Sequence, residues 1–307
     1  MIRYILKRLL AVLGTMFIVS IVAFLFIHLI PGDPARLLAG EKAPAETVAR
    51  ITEQFGLDKP LPVQYGIWMK GILHGDFGTS FRTGHTVLSE IGPRYVRTIV
   101  MAVAAVIWSV IAGLLLGVWS GTHAGKWQDY TGVTLAVAGQ AVPEFWIGLM
   151  LIFLFGVKLG WLPISSASAG IEGLIMPAFT LGGWLAATVT RFTRSAMLES
   201  LKEDYVRTAR AKGLKENVVV WKHAFRNSLI SVITIIGVSF GDLLGGAVLV
   251  ESVFAYPGIG SLLVSSINFR DYAVVQALIL IISANYVIIN FIVDIMYAVV
   301  NPEIRYT

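Results

Sequence analysis

Six stretches of this chain are long and apolar, and each holds at most one Asp, Glu, Lys or Arg: Leu9–Ile30, Ile99–Ser120, Val133–Val157, Ile171–Thr190, Leu229–Val250 and Ala273–Val299. A helical run of about 20 such residues crosses a hydrocarbon core roughly 30 Å thick. Inside lipid every backbone N–H and C=O must be satisfied within the protein, so only helices and closed barrels span it. Continuous apolarity, without a two-residue alternation, selects the helix. The expected fold is therefore an all-α membrane protein with six transmembrane helices.

Composition agrees: 56% of residues are hydrophobic and 14% charged, with a mean hydropathy of +0.75, against about 25% charged in soluble domains. There is no cysteine, which excludes disulfides, thiolate metal sites and cysteine nucleophiles. The first apolar run ends in Pro31-Gly32 without a small-x-small site, so it is expected to stay as a span and not be cleaved. Arg3, Lys7 and Arg8 precede that run, and nine Lys/Arg fall between Arg191 and Arg226. Short cationic segments belong on the cytoplasmic side. Both termini are thus expected in the cytoplasm, and the net charge of +5 reflects topology and not a nucleic-acid partner.

Along the chain, Pro31–Thr98 is a long external segment. Asp33 is placed to cap a helix after Pro31-Gly32, and Ala45–Phe55 and Val63–Leu73 show amphipathic periodicity around the breaker Gly56–Pro60. His74–Gly84 is turn-rich. Gly113 with Gly117, and Gly241 with Gly245, form small-xxx-small pairs suited to close helix contact. Pro143 and Glu144 interrupt the third span, and Pro177 lies in the fourth. Glu144 either faces the bundle interior or is a paired structural acid. His28, near an interface, is expected to be structural, and Trp161 suits an interfacial loop. Glu251–Tyr272 is external, with a short re-entrant or interfacial helix after Pro257-Gly258.

Several chemistries fail on motif. Asp242 and Asp294 could form an aspartyl dyad, but Ser239-Phe240-Gly241-Asp242 lacks the first glycine of a Gly-x-Gly-Asp pattern, and Gly237-Val238-Ser239-Phe240 lacks the last glycine of Gly-x-Ser-Gly. The five histidines, His28, His74, His85, His123 and His223, show no i, i+4 pairing and no HExxH. No GxxxxGK[ST] loop occurs, so energy for transport must come from a partner or an ion gradient. A secondary transporter, the main rival class, would place discontinuous helices symmetrically in two halves. Pro143 and Pro177 both sit in the middle third. No filter-like motif supports a channel.

The polar segment Glu203–Asn227, EDYVRTARAKGLKENVVVWKHAFRN, is the most charged in the chain. Glu203, Asp204 and Tyr205 open a helical run in which Arg207 and Arg210 lie one turn apart on one face. Ala209 and Gly213, four apart, make a small-residue notch that a partner could approach closely, and Gly213 can also end the helix.

EDYVRTARAKGL followed by KHAFRNSL resembles the cytoplasmic loop of permease subunits of ABC importers, most similarly the dipeptide, oligopeptide and nickel branch. Arg207 and Thr208 stand where other branches have Glu-Ala, and Ser231 where close relatives often have proline. IPGDPARLLAG, GLDKPLPVQY, GDFGTSF and AYPGIG with FRDYAVVQ resemble the same branch, so the likeness covers nearly the whole chain. It implies the type I ABC permease fold and a bacterial cytoplasmic-membrane location. The segments would be a first span within 1–30, an external part at 31–98, a permease domain over 95–299 with its coupling loop at 191–226, and a cytoplasmic tail at 300–307. It also implies a transport subunit, not an enzyme, working by alternating access with a second homologous permease, two ATPase subunits and an extracytoplasmic binding protein. ATP and Mg2+ would be used by the ATPases, with no cofactor on this chain. ATPase contact would fall to Glu203, Asp204, Tyr205, Arg207, Ala209, Arg210, Gly213, His223 and Arg226, and the translocation path to Glu144 and Asp242. The match of IPGDPARLLAG and GWLP to glutathione-importer permeases points to a di- or tripeptide such as glutathione, with nickel the alternative.

Overall fold

The computed structural model describes residues 2–29, 32–40, 42–167 and 170–300; the side chains of 2–3, 54–55, 230–231, 234, 238, 240–242, 244 and 296–300 fall outside that description. The described residues form helices joined by turns and irregular segments, without a strand; one isolated antiparallel bridge joins Thr79 and Thr86. By contact they form two units, 1–98 with 257–292, and 99–256 with 293–307.

The first unit begins with α1 (Ile2–Leu29), followed by α2 (Pro34–Ala39), α3 (Ala45–Phe55) and α4 (Leu61–Leu73). Asp33 caps α2, its Oδ1 accepting from the Ala35 N–H at 3.0 Å, as its position before Pro34 leads one to expect. α3 matches its expected span and ends at Gly56 in the left-handed conformation, φ 60°. Polar side chains fasten α4 to α1: Ser20 Oγ lies 2.7 Å from the Tyr65 hydroxyl, and His28 Nε2 lies 2.9 Å from Gln64 Oε1. His28 is thus structural. Val87, Ile91, Ile259, Leu262, Val274 and Leu278 form the buried core of this unit.

The second unit begins within α5 (Val87–Thr122), a helix of 36 residues that starts well before the expected Ile99. Then come α6 (Trp127–Ala141), α7 (Glu144–Leu151) continued by a π-helical segment (Ile152–Lys158), and α8 (Glu172–Ser200). The third expected span is a bent pair: α6 and the helix beginning at Glu144 meet at 102°. Pro143 has no N–H to donate and biases Val142 to extended backbone, ψ 128°, so the helix cannot continue. Pro177, by contrast, stays inside α8. The carbonyl it leaves without an amide partner, Gly173 O, accepts from Ser166 Oγ at 2.6 Å.

Glycines bring α5 and α8 together. A Cβ on Gly113 would lie 2.7 Å from the Val189 Cβ, one on Gly117 2.4 Å from the Thr193 Cβ, and one on Gly121 2.8 Å from the Met197 Cβ. No side chain larger than hydrogen fits. The expected Gly241/Gly245 pair fares differently: Gly241 lies outside the described side chains, and none of the described residues comes within 4 Å of a Cβ at Gly245. Met101, Leu181, Leu185, Val189, Val250 and Phe254 fill the core.

α8 also runs on past Thr190, so Arg191 and Arg194 stand on a helix and not in a loop. α9 (Asp204–Ala211) and α10 (Glu216–Val218) follow, and a π-helical turn, Val219–Phe225, leads into α11 (Arg226–Val253). α12 (Ile259–Asn268) starts directly after Gly258, where the re-entrant helix is expected, and α13 (Tyr272–Val300) closes the described chain. Among the described residues, four helices are long and apolar enough to cross a membrane, or five if the bent pair is one span. α1 and α5 leave Leu10, Leu13, Phe17, Ile107, Ile111 and Leu115 exposed. Such a surface is a liability in water and costs nothing in lipid.

Candidate functional site

The basic loop folds around a small core of its own. α9 buries one face: Val206 is 0% and Ala209 5% exposed, packed with Val118, Met197, Val219 and Ala224. This corrects the expectation for Ala209, whose small side chain is used inside the chain and is not left open to a partner. Gly213 closes α9 in a Schellman arrangement, its N–H donating to Arg210 O at 2.9 Å and the Leu214 N–H to Ala209 O at 3.4 Å. Its φ of +77° is what requires glycine; the space around its Cβ position is open.

The charges of the loop are paired locally. Arg207 Nη1 donates to Asp204 Oδ1 at 3.0 Å. Arg210 grips Glu216 through two bonds, Nη2 to Oε1 at 2.6 Å and Nε to Oε2 at 3.1 Å. The Arg210 guanidinium holds the Glu216 carboxyl below its usual range and is itself raised in return. Both pairs are solvent-exposed and therefore weak, open to exchange with another protein's carboxylates. Glu203 occupies the N-cap position of α9 with extended backbone and makes no side-chain cap. Arg226 is exposed at the start of α11, and His223 is half-buried on the π-helical turn.

Tyr205 has the most structured role. Its hydroxyl lies 2.5 Å from Ser200 Oγ at the end of α8 and accepts from Asn227 Nδ2 at 3.2 Å at the start of α11. Ser200 Oγ also donates to Ala224 O at 3.0 Å. One phenol thus ties the loop helix to two long apolar helices. Ser200 and Asn227 escape sequence reasoning because they are ordinary polar residues at helix ends. A second brace lies nearby: Arg194 Nε and Nη2 donate to the two Asp129 carboxylate oxygens at 2.5 and 2.8 Å, and Ser120 Oγ donates to Asp129 Oδ1 at 2.7 Å. Asp129 and Arg194 were not singled out either, since each sits beside a basic or aromatic run that masks the pairing.

Glu144 is the first residue of α7, at the 102° bend. Its Oε2 lies 3.0 Å from where a Gly246 Cβ would stand, with Leu181 beside it. Asp242 falls within α11, but its side chain lies outside the described residues.

Apolar helices of spanning length around a glycine-packed core, with a short basic helix braced to their ends, define a multi-span membrane protein. Residues 113–306 match the profile of the "Binding-protein-dependent transport system inner membrane component" family, and residues 1–102 match that of its N-terminal part. The chain belongs to this family. It is 46% identical over 306 residues to the glutathione transport system permease protein GsiC of Salmonella choleraesuis (strain SC-B67), covering 100% of both chains. The proteins of that name from Pectobacterium atrosepticum and Escherichia coli K12 are 46% and 45% identical, again over both full lengths. A solved structure of an amino acid ABC transporter superposes with a TM-score of 0.53 at 13% identity, covering 75% of this chain and 96% of that one, and supports the type I permease fold. The protein is a permease of an ABC importer, a multi-pass component of the bacterial cytoplasmic membrane. It is a transport subunit, not an enzyme, and it works with other ABC components.

Proposed function

We propose that this chain forms half of a translocation path for small peptides of the glutathione type, delivered by an extracytoplasmic binding protein. The other half is a homologous permease. With six spans, both termini and the basic segment after α8 lie in the cytoplasm, where the α9 surface meets one of two ATPases that use ATP and Mg2+. No cofactor is held by this chain. Glu203, Asp204, Tyr205, Arg207, Arg210, Gly213, His223 and Arg226 contribute to that contact, Ala209 by shaping α9 from beneath. Glu144 and Asp242 line the path. Nucleotide-driven motion of α9 reaches the spans through Tyr205 and biases the bundle between two access states.

The observation that carries the substrate class is the full-length identity to permeases named for glutathione transport. The observation that carries coupling is the bracing of a basic, amphipathic α9 to both α8 and α11. The test is purification of the tagged chain in mild detergent. It is expected to bring a second permease and P-loop ATPases, whose hydrolysis rises when peptide-loaded binding protein is added. In that complex Gly213→Leu, strained at φ +77° by about 1–2 kcal/mol, is expected to insert normally and lose the stimulation. A chain that purifies alone and moves solute without ATP would return the secondary-transporter reading.

A further inference from the structure

Glu144 differs from Asp129, the acid at the other end of the same bent pair. Asp129 is saturated by Arg194, Ser120 and the Gly125 N–H. The Glu144 carboxylate is half-buried and has no hydrogen bond or ion pair with any described residue. Its level is set by its neighbours. Gly246 stands seven residues before the end of α11, and Leu181 nine residues after the start of α8. At the helical rise both lie roughly 10–14 Å from those helix ends. That is inside a core about 30 Å thick. An unpaired carboxylate at that depth cannot face lipid. It needs water, a proton or a cation.

The polar groups next to it indicate which cation. Four residues earlier, on the other side of the bend, Gln140 donates from Nε2 to Thr188 Oγ1 at 3.0 Å and accepts from Arg191 Nη1 at 2.5 Å on Oε1. The exposed guanidinium of Arg191 is thereby oriented on the α6–α8 side of the same bent pair. Neither group of this chain neutralises the Glu144 carboxylate among the described residues, and an ammonium would.

We propose that Glu144 is an ammonium subsite of the path, taking the free amino group of a passing peptide. This rests on the peptide-import reading. A single charged contact that replaces water is favourable enough for entry and weak enough for exit, as conduction requires. Gly246 is the residue that leaves room for the carboxylate: a side chain there would occupy the space Oε2 uses.

The test uses the complete importer in liposomes with its binding protein. ATP-dependent uptake of a labelled free-amine dipeptide by the unaltered complex tests the importer reading alone; without it that reading falls, whatever Glu144 does. Given such uptake, Glu144→Gln is expected to lower the initial rate at least about ten-fold, while Glu144→Asp stays within about three-fold. Uptake by the Gln variant at the unaltered rate would overturn the subsite, and would assign the acid to the N-terminus of α7. A second readout does not depend on transport. The chain has no cysteine, so Glu144→Cys gives it a single thiol whose modification is read as a mass increase of this chain. A cationic, membrane-impermeant thiol reagent is expected to label it, more slowly when peptide is being delivered. Absence of labelling also overturns the proposal.

Discussion

Tyr205 shows how one atom can couple two parts of a protein. Its ring belongs to α9, while its hydroxyl meets Ser200 from α8 and Asn227 from α11. Tyr205→Phe keeps the ring and removes both contacts, at a stability cost of about 1–2 kcal/mol. The expected effect is on coupling: more ATP hydrolysed per peptide imported, measured in liposomes. An unchanged ratio would show that motion passes through the buried contacts of Val206 and Met197 instead. The sequence placed Tyr205, Arg207 and Arg210 on one short basic helix, with Gly213 able to end it, from spacing alone. It could not separate the roles of Ala209 and Gly213. Both are small, but one is small because it is buried and the other because its backbone is left-handed. Spacing reports neither burial nor φ.

At the scale of elements, the pairing of α5 with α8 depends on hydrogen atoms where side chains would otherwise be. Lipid offers no hydrophobic drive for two helices to meet, so close backbone approach supplies the packing energy. Gly117→Ala would set a methyl 2.4 Å from the Thr193 Cβ and 2.8 Å from Thr190 O, and neither neighbour is a flexible end. A loss of about 1–3 kcal/mol is expected. Gly245→Ala, with open space around it, should change stability by no more than about 0.5–1 kcal/mol and in the stabilising direction. Thermal unfolding of the two variants in detergent checks the contrast, and equal shifts would refute it. The motif Gly113-x-x-x-Gly117 was legible; its partner was not. The break at Pro143 was legible as an interruption, but a 102° turn was not. Proline removes a hydrogen bond and leaves the new direction to whatever packs against the next helix.

Two units emerge at the scale of the whole molecule, and one of them joins distant parts of the chain. Residues 257–292 pack with 1–98. Asp271, next to α12, accepts a hydrogen bond from Ser80, and Gln276 Nε2 donates to Ala23 O at 3.0 Å. Burial raises the Asp271 carboxyl above its ordinary value of 3.8 despite the Ser80 hydroxyl. Above 3.8 and up to the raised value, the folded chain keeps a proton that the unfolded chain has released. Stability contributed by this group therefore falls as pH rises across that interval. Asp271→Asn is expected to flatten that slope when melting temperature is followed from about pH 4 to about pH 7. An unaltered slope would place the pH dependence elsewhere.

The sequence by itself determined that the chain is helical and membrane-embedded, because apolar runs of that length have no other stable state in lipid. It determined where the basic cytoplasmic-type helix lies, because charge cannot be hidden among those runs, and the short segments that carry the family likeness are contiguous. What only the tertiary structure decided were properties of pairs far apart in the chain. Asp129 meets Arg194, Ser80 meets Asp271, Glu144 rests against Gly246, and Tyr205 joins two helix ends. Apolar periodicity fixes which face of a helix is buried. It does not fix which helix covers that face, because lipid and another helix are nearly equivalent neighbours for the same side chains.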